Sequence, residues 1–226
     1  MLIKEWMTTD VITVTPDTSM MKAKRLMQEK NVGRLPVIDE ASRKVVGIIS
    51  DRDIKQASPS KATTLDMHEL HYLLSELKIK DIMTKKPFCV RAEDSVEMVA
   101  LKLVELNIGG MPVVDDLGRI EGIITDSDLF KVFIAITGIQ QGGLQLAFDL
   151  ENAPGTLKPI VDLLRSKGAR IVSILTSIEA EDAPVRRVYI RIRDITCEAE
   201  IIEEVKANFP LVYAQKSSVV TNAFKS

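Results

Sequence analysis

Apolar residues recur at Val96, Val99, Ala100, Leu103 and Leu106, the spacing of one buried stripe on a helix, and Ser95 stands in front of them as a cap. Ser19 opens a matching helix. Asn31 and Asn107, each followed two residues later by Gly, predict left-handed helix exits. "LPVID" and "MPVVD" then begin a strand, and "KVVGIIS" and "RIEGIIT" complete a hairpin that runs into a second helix. With a short strand in front, the order strand, helix, strand, strand, helix is written twice.

The two copies align from Trp6 to Ile54 and from Ile82 to Leu129 with one single-residue gap, in the turn after Asp39. Met-Thr opens both, and Gly33/Gly109 and Pro36/Pro112 coincide. The most similar stretches are the octets "GIISDRDI", Gly47 to Ile54, and "GIITDSDL", Gly122 to Leu129. Between the copies an amphipathic helix is expected around Leu70, Leu73, Leu74 and Leu77. A copy of about 50 residues is marginal alone, so the two are expected to pack together.

Beyond Gly142 the pattern changes. Leu144, Leu146, Phe148 and Leu150 alternate as a half-buried strand; "NAPG" is a turn; a helix follows with Leu157, Ile160, Val161 and Leu164 inward and Gly168 at its exit. A hairpin with Val188, Ile190 and Ile192 on one face, a helix near residues 199–209 and a last strand "LVYAQ" give a βαββαβ, ferredoxin-like order. The chain is therefore expected to be α+β: a first repeat at 1–57, a connector helix at 58–80, a second repeat at 81–135 and a separate domain at 142–226.

Composition narrows the function. Aromatic residues are 4% of the chain and the net charge is -2, so neither stacking platforms nor a basic footprint for nucleic acid is present. No apolar run is long enough to span a membrane, and no signal-peptide core precedes the first repeat, which predicts a cytoplasmic protein. Cys89 and Cys197, without CxxC spacing, are expected to be reduced and mostly buried. "HELH" at His68 to His71 has the wrong spacing for a zinc protease, and no metal site is expected. Arg186, Arg187, Arg191 and Arg193 are expected on a solvated strand face, with contact to an acidic partner as the alternative. No P-loop, GxSxG or GxGxxG motif and no cluster of catalytic groups stands in the chain, so neither catalysis nor a catalytic cofactor is expected.

Ser50 and Asp53, like Thr125 and Asp128, fit a capping box, in which the hydroxyl caps the helix and the acid reaches back to the cap's N–H. The same groups suit a nucleotide: a helix start attracts phosphate, and a carboxylate one turn inside can hold ribose hydroxyls. The duplicated unit carrying both octets resembles a tandem pair of CBS domains, a Bateman module, over about residues 1 to 135. That resemblance implies adenine nucleotide binding (AMP, ADP or ATP, with NAD or S-adenosylmethionine as further candidates), with Asp53 and Asp128 on ribose and Ser50 and Thr125 on phosphate. It implies adenine sites at Val11, Ile12 and Thr13 with Arg34, Leu35 and Pro36 in the first copy, and at Phe88 and Cys89 with Gly110, Met111 and Pro112 in the second. Arg34, Arg52 and Lys55 of the first copy stand where the second has Gly110, Ser127 and Phe130 or Lys131, so the first site is expected to hold phosphate-rich ligands more tightly.

The stretch "DLENAPGTLKPIVDLLRSKGARI" resembles an ACT domain, which implies an amino-acid ligand at Asn152, Ala153, Pro154 and Gly155; Pro-Gly is equally an ordinary turn. The order of modules resembles the acetoin utilisation protein B type. Together these imply a non-catalytic regulatory sensor that forms a homodimer and signals to a protein partner. The alternatives are a regulatory subunit of a metabolic enzyme and a structural dimerisation module with empty clefts.

Overall fold

The computed structural model describes residues 1–57, 76–180 and 182–219. Leu70, Leu73, Leu74 and the two histidines lie outside the described residues. The chain divides into two compact units, Met1–Phe130 and Lys131–Ser226.

In the first unit, α1 (Met20–Lys30) starts where Ser19 Oγ accepts the Lys22 N–H at 3.3 Å, and ends at Asn31, whose φ is 51°. Then come β1 (Arg34–Ile38), β2 (Val45–Ser50) and α2 (Asp51–Ala57). After α3 (Ile79–Ile82) and β3 (Thr84–Lys85) the pattern returns as α4 (Val96–Glu105), β4 (Gly110–Val114), β5 (Ile120–Thr125) and α5 (Asp126–Thr137), whose residues from Lys131 onward belong to the second unit. Ser95 Oγ accepts the Met98 N–H at 3.1 Å, and Asn107 has φ 51°. The hairpins β1-β2 and β4-β5 share their register, with Val37 opposite Gly47 and Val113 opposite Gly122, and each has an irregularity one step later. Leu106 departs from the expected stripe: it is the C-cap of α4 and is exposed.

The expected first strand of each repeat is reduced to one parallel bridge, Val14 to Val37 and Val90 to Val113. Pro16 and Pro87, close to these positions, have no N–H with which to extend the ladder. What precedes each bridge belongs to the other repeat. β3, which leads into the second repeat, pairs antiparallel with β2 of the first, Lys85 opposite Gly47 and Thr84 opposite Ile48. Thr8, which leads into the first, exchanges both backbone hydrogen bonds with Ile123 of the second at 3.0 Å. Further out, Leu2 bridges to Ser95 and Lys78 to Ser19. Ile79 is fully buried in the first repeat's core with Met20, Ala23, Leu35, Val37 and Ile49, and Ile3 is fully buried beside the backbone of Ala92 and Asp94. Each repeat thus lends its leader to its neighbour.

This exchange accounts for the glycine that opens each octet. A Cβ on Gly47 would lie 2.5 Å from Met83 Sδ and 3.1 Å from the Thr84 carbonyl; on Gly122 it would lie 2.6 Å from Met7 Sδ and 3.1 Å from the Thr8 carbonyl. Neither needs a positive φ; both give room for the incoming strand. Gly47→Val is expected to lower the stability of the first unit by about 1–3 kcal/mol through overpacking against that strand. Urea unfolding followed in that unit measures it, and an unchanged midpoint would contradict the close approach.

The second unit contains β6 (Gly143–Glu151), α6 (Lys158–Ser166), β7 (Arg170–Ser177), β8 (Val185–Arg193), α7 (Glu198–Asn208) and β9 (Leu211–Ser217). Its strands lie in the order β7-β8-β6-β9, every neighbour antiparallel. The alternating side chains Leu144, Leu146, Phe148 and Leu150 of β6 and Val188, Ile190 and Ile192 of β8 face the same core as Ile160, Leu164, Ile201 and Val205 of the helices. Phe148 meets Phe209 edge to face, with ring centres 6.4 Å apart.

Two expectations are corrected. Cys89 and Cys197 are both exposed, because one lies in the irregular stretch before α4 and the other caps α7. The arginines of β8 do not share one solvated face. Arg187 is exposed and makes a two-pronged pair with Asp149 at 2.7 and 2.8 Å across the ladder, but Arg191 is 2% exposed. Its guanidinium donates to the carbonyls of Thr137 and Gly142 and to Gln145 Oε1, replacing the water it loses, and its burial lowers its pKa.

Candidate functional site

A cavity of about 550 Å³ opens within the first unit at the end of β2. Ser50 and Asp53 line it from the first octet, with Arg34 and Arg52. The opposite wall comes from Thr84 to Phe88 and from Asn107 to Gly110. Gly110 and Phe88, which the sequence grouped with the second octet, therefore line the cleft of the first. The leader exchange is the physical reason, since β3 runs along β2 before the chain returns to its own repeat at Val90.

The octet forms the capping box. Asp53 Oδ2 accepts the Ser50 N–H at 2.8 Å and the Ser50 hydroxyl at 2.6 Å, and the Asp53 N–H donates to Ser50 Oγ at 3.3 Å. Thr125 and Asp128 repeat the carboxylate contacts at 3.0 and 2.7 Å. At Asp53 the box uses Oδ2, so capping and ligand binding need not compete for one oxygen. The two acids differ in access: Asp53 is half-buried, whereas Asp128 is only 4% exposed.

Arg34 crosses between the repeats. Its guanidinium lies 3.6 Å from Asp126 and rests on Gly109, where a Cβ would stand 1.6 Å from Nη2. Lys55 does not join it in the cavity: it pairs with Asp51 at 2.7 Å and lines a separate hollow beside α1. The Lys55 bond, helped by the charge of Arg34, holds the Asp51 carboxyl below the usual carboxylate range.

Other expected residues are placed elsewhere. Leu35 and Met111 are fully buried, and Pro36 and Pro112 are buried beside them, because β1 and β4 are covered on both faces. Their side chains belong to cores. Val11, Ile12 and Thr13 do not line this cavity, and Ile12 packs on the first repeat's core. Cys89 donates to the Pro87 carbonyl at 3.5 Å, and burial around its sulfur pushes the thiol pKa up, away from a reactive thiolate. The sequence reading missed Lys85, Lys86 and Gly109. The available signal was the Met-Thr pair in front of each copy, together with an octet glycine that capping does not require.

In the second unit Asn152, Ala153, Pro154 and Gly155 form a turn in which Gly155 has φ 87°. The Asn152 N–H already donates to the Pro184 carbonyl at 2.8 Å and its Nδ2 to Ala183 at 3.2 Å, so this N–H is not available for a ligand carboxylate. Arg186, expected on a solvated strand face, instead reaches the turn: Nη2 donates to Thr156 Oγ1 at 3.0 Å, while its buried Nε has no acceptor among the described residues. Among the described residues no group of three or more His, Cys, Asp or Glu is placed to hold a metal, and no helix is long and apolar enough to cross a membrane.

The family described as CBS domain matches residues 3–60 and 79–135, about half of the chain. An L-aspartate semialdehyde sulfurtransferase of Methanocaldococcus jannaschii is 33% identical over 132 residues, 58% of this chain; the chain spans 23% of that relative's length. CBSX2, a CBS-pair protein of Arabidopsis thaliana solved in complex with AMP, is 33% identical over 60% of this chain and 98% of its own, with a TM-score of 0.50. The crystal structure of an acetoin utilisation protein (AcuB) from Vibrio cholerae is 26% identical over 62% of this chain and 96% of its own, with a TM-score of 0.51.

Proposed function

Because the chain belongs to the CBS-domain family, we propose that it is a non-catalytic, cytoplasmic regulatory sensor whose first unit binds an adenine nucleotide in the cleft of Ser50 and Asp53. The observation that carries this reading is one cavity joining Ser50, Asp53, Arg34 and Arg52 of the first repeat to Phe88 and Gly110 of the second. Asp53 Oδ1 accepts the ribose hydroxyls, the Ser50 hydroxyl and the arginines meet phosphate, and the exposed Phe88 ring covers the base. The AMP complex of CBSX2 supports the ligand class. A ligand so placed touches both repeats and ties them together. It can shift their equilibrium only by its differential affinity for two arrangements, typically ~1–3 kcal/mol.

The second unit is read as an ACT-type, ferredoxin-like module, supported by its βαββαβ order and antiparallel sheet. Arg186, beside the Asn152 to Gly155 turn, is the group that would meet an amino-acid carboxylate. The chain forms a homodimer and reports to an enzyme or other protein partner. The exposed stripe Met98, Leu101 and Val104 on α4 is the apolar face available for such contacts, and the likeness to AcuB supports the acetoin-utilisation type.

Thermal unfolding with AMP, ADP, ATP, NAD and S-adenosylmethionine tests the sensor reading. At least one adenine ligand is expected to raise the midpoint. Asp53→Ala is expected to weaken binding of that ligand about tenfold or more, the worth of a hydrogen bond to a charged group. If none of the five ligands moves the midpoint, the clefts are empty and the structural-module reading replaces this one.

A further inference from the structure

The charges around the cavity do not balance. Of its three acids, Asp51 is paired with Lys55 at 2.7 Å, Asp126 faces Arg34 at 3.6 Å, and Asp53 is held in its capping box. Arg52, Lys85 and Lys86 line the same cavity and form no ion pair among the described residues. Three exposed cations around one hollow make a positive rim that fits an anion of more than one charge. The two lysines are held there by the exchanged leader: Lys85 lies on β3 opposite Gly47, and Lys86, with φ 49°, donates its N–H to the Val46 carbonyl at 3.2 Å before the chain turns to Phe88.

The repeat alignment shows that this charge is peculiar to one side. Where the first octet has Arg52 the second has Ser127, and where one leader carries Lys85 and Lys86 the other carries Thr9 and Asp10. Thr8 pairs with Ile123 as Thr84 pairs with Ile48, so the leaders dock alike while their charges differ. A generic capping role would not require three cations to gather at one octet only.

We infer that the Ser50/Asp53 cleft takes a nucleoside di- or triphosphate, and that Lys85 and Lys86, supplied by the leader of the second repeat, set its preference for the number of phosphates. This rests on the adenine-nucleotide reading above and goes further, since a monophosphate leaves the lysines without a partner. It also gives the ligand a handle on the exchanged strand, because its polyphosphate holds β3 while Asp53 holds its ribose.

Titration calorimetry with adenosine, AMP, ADP and ATP, in the wild-type full chain and in a Lys85→Gln/Lys86→Gln double variant, tests this. Wild type is expected to bind ATP at least about tenfold more tightly than AMP, and the double variant to lose about tenfold for ATP while AMP changes by less than about threefold. A control variant, Lys22→Gln/Lys44→Gln, changes the net charge equally at exposed positions outside the cavity and is expected to keep the wild-type ATP-to-AMP ratio. If no adenosine compound binds, the nucleotide reading itself falls. If ligands bind but the double variant keeps the wild-type ratio, or the control lowers it equally, the cleft stands and the assignment to Lys85 and Lys86 is overturned.

Discussion

An Ile79→Ala chain is expected to lose about 2–5 kcal/mol of stability, and the damage is expected to appear in the first repeat, although Ile79 stands in the stretch that leads into the second. Its side chain is fully buried among Val14, Met20, Ala23, Met27, Leu35, Val37, Ile49 and Ile54, all of the first repeat. Removing three carbons from such a site costs their transfer free energy plus the cavity left behind. The surrounding backbone has little freedom to collapse into the gap. The Ile79 N–H donates to the Thr18 carbonyl at 2.9 Å, and the Met20 N–H to Leu77 at 2.8 Å. Native-state hydrogen exchange separates the two placements. Amides of α1, β1 and β2 are expected to lose protection first; loss confined to α4, β4 and β5 would show that the leader packs on its own repeat and would refute the exchange.

Phe148→Ala is expected to cost about 3–5 kcal/mol in the second unit. Phe148 is fully buried at the centre of the four-stranded sheet, with β8 on one side and β9 on the other, and it loses its edge-to-face contact with Phe209 on truncation. Phe148→Leu, which keeps most of the volume, should recover more than half of the loss, because the cavity rather than the ring contact dominates. Urea unfolding with exchange read at the β6 and β8 amides checks both. A loss below 1 kcal/mol for the alanine variant would contradict a close-packed core at this position.

These two residues show where sequence reading succeeds. Phe148 was legible because strand alternation is local: every second residue of β6 faces the helices, and the period survives whatever the neighbouring strands are. The Ser19 and Ser95 caps and the Asn31 and Asn107 exits were legible for the same reason, since each is satisfied within one turn of its own helix. The octets were also legible as capping boxes, which the structure contains. Ile79, Lys85 and Lys86 were not legible in their roles. Their neighbours lie some 30 to 60 residues away along the chain, and the repeat invited the opposite assumption, that each copy is complete in itself. Arg191 escaped for a similar reason. On strand parity it belongs to the exposed face, and only the loop from Thr137 to Gly142 folding over it makes it a buried, hydrogen-bonded cation.

By itself, then, the sequence determined the elements, the duplication and the capping boxes, because periodicity, caps and turns are decided within a few residues. Tertiary structure alone decided which leader lies on which hairpin, and so which walls enclose Ser50 and Asp53. Strand pairing joins residues distant in sequence, and two near-identical hairpins offer each leader two docking sites between which local pattern cannot choose. The glycines at 47 and 122 mark the outcome: they leave room on each hairpin for a strand that arrives from the other repeat.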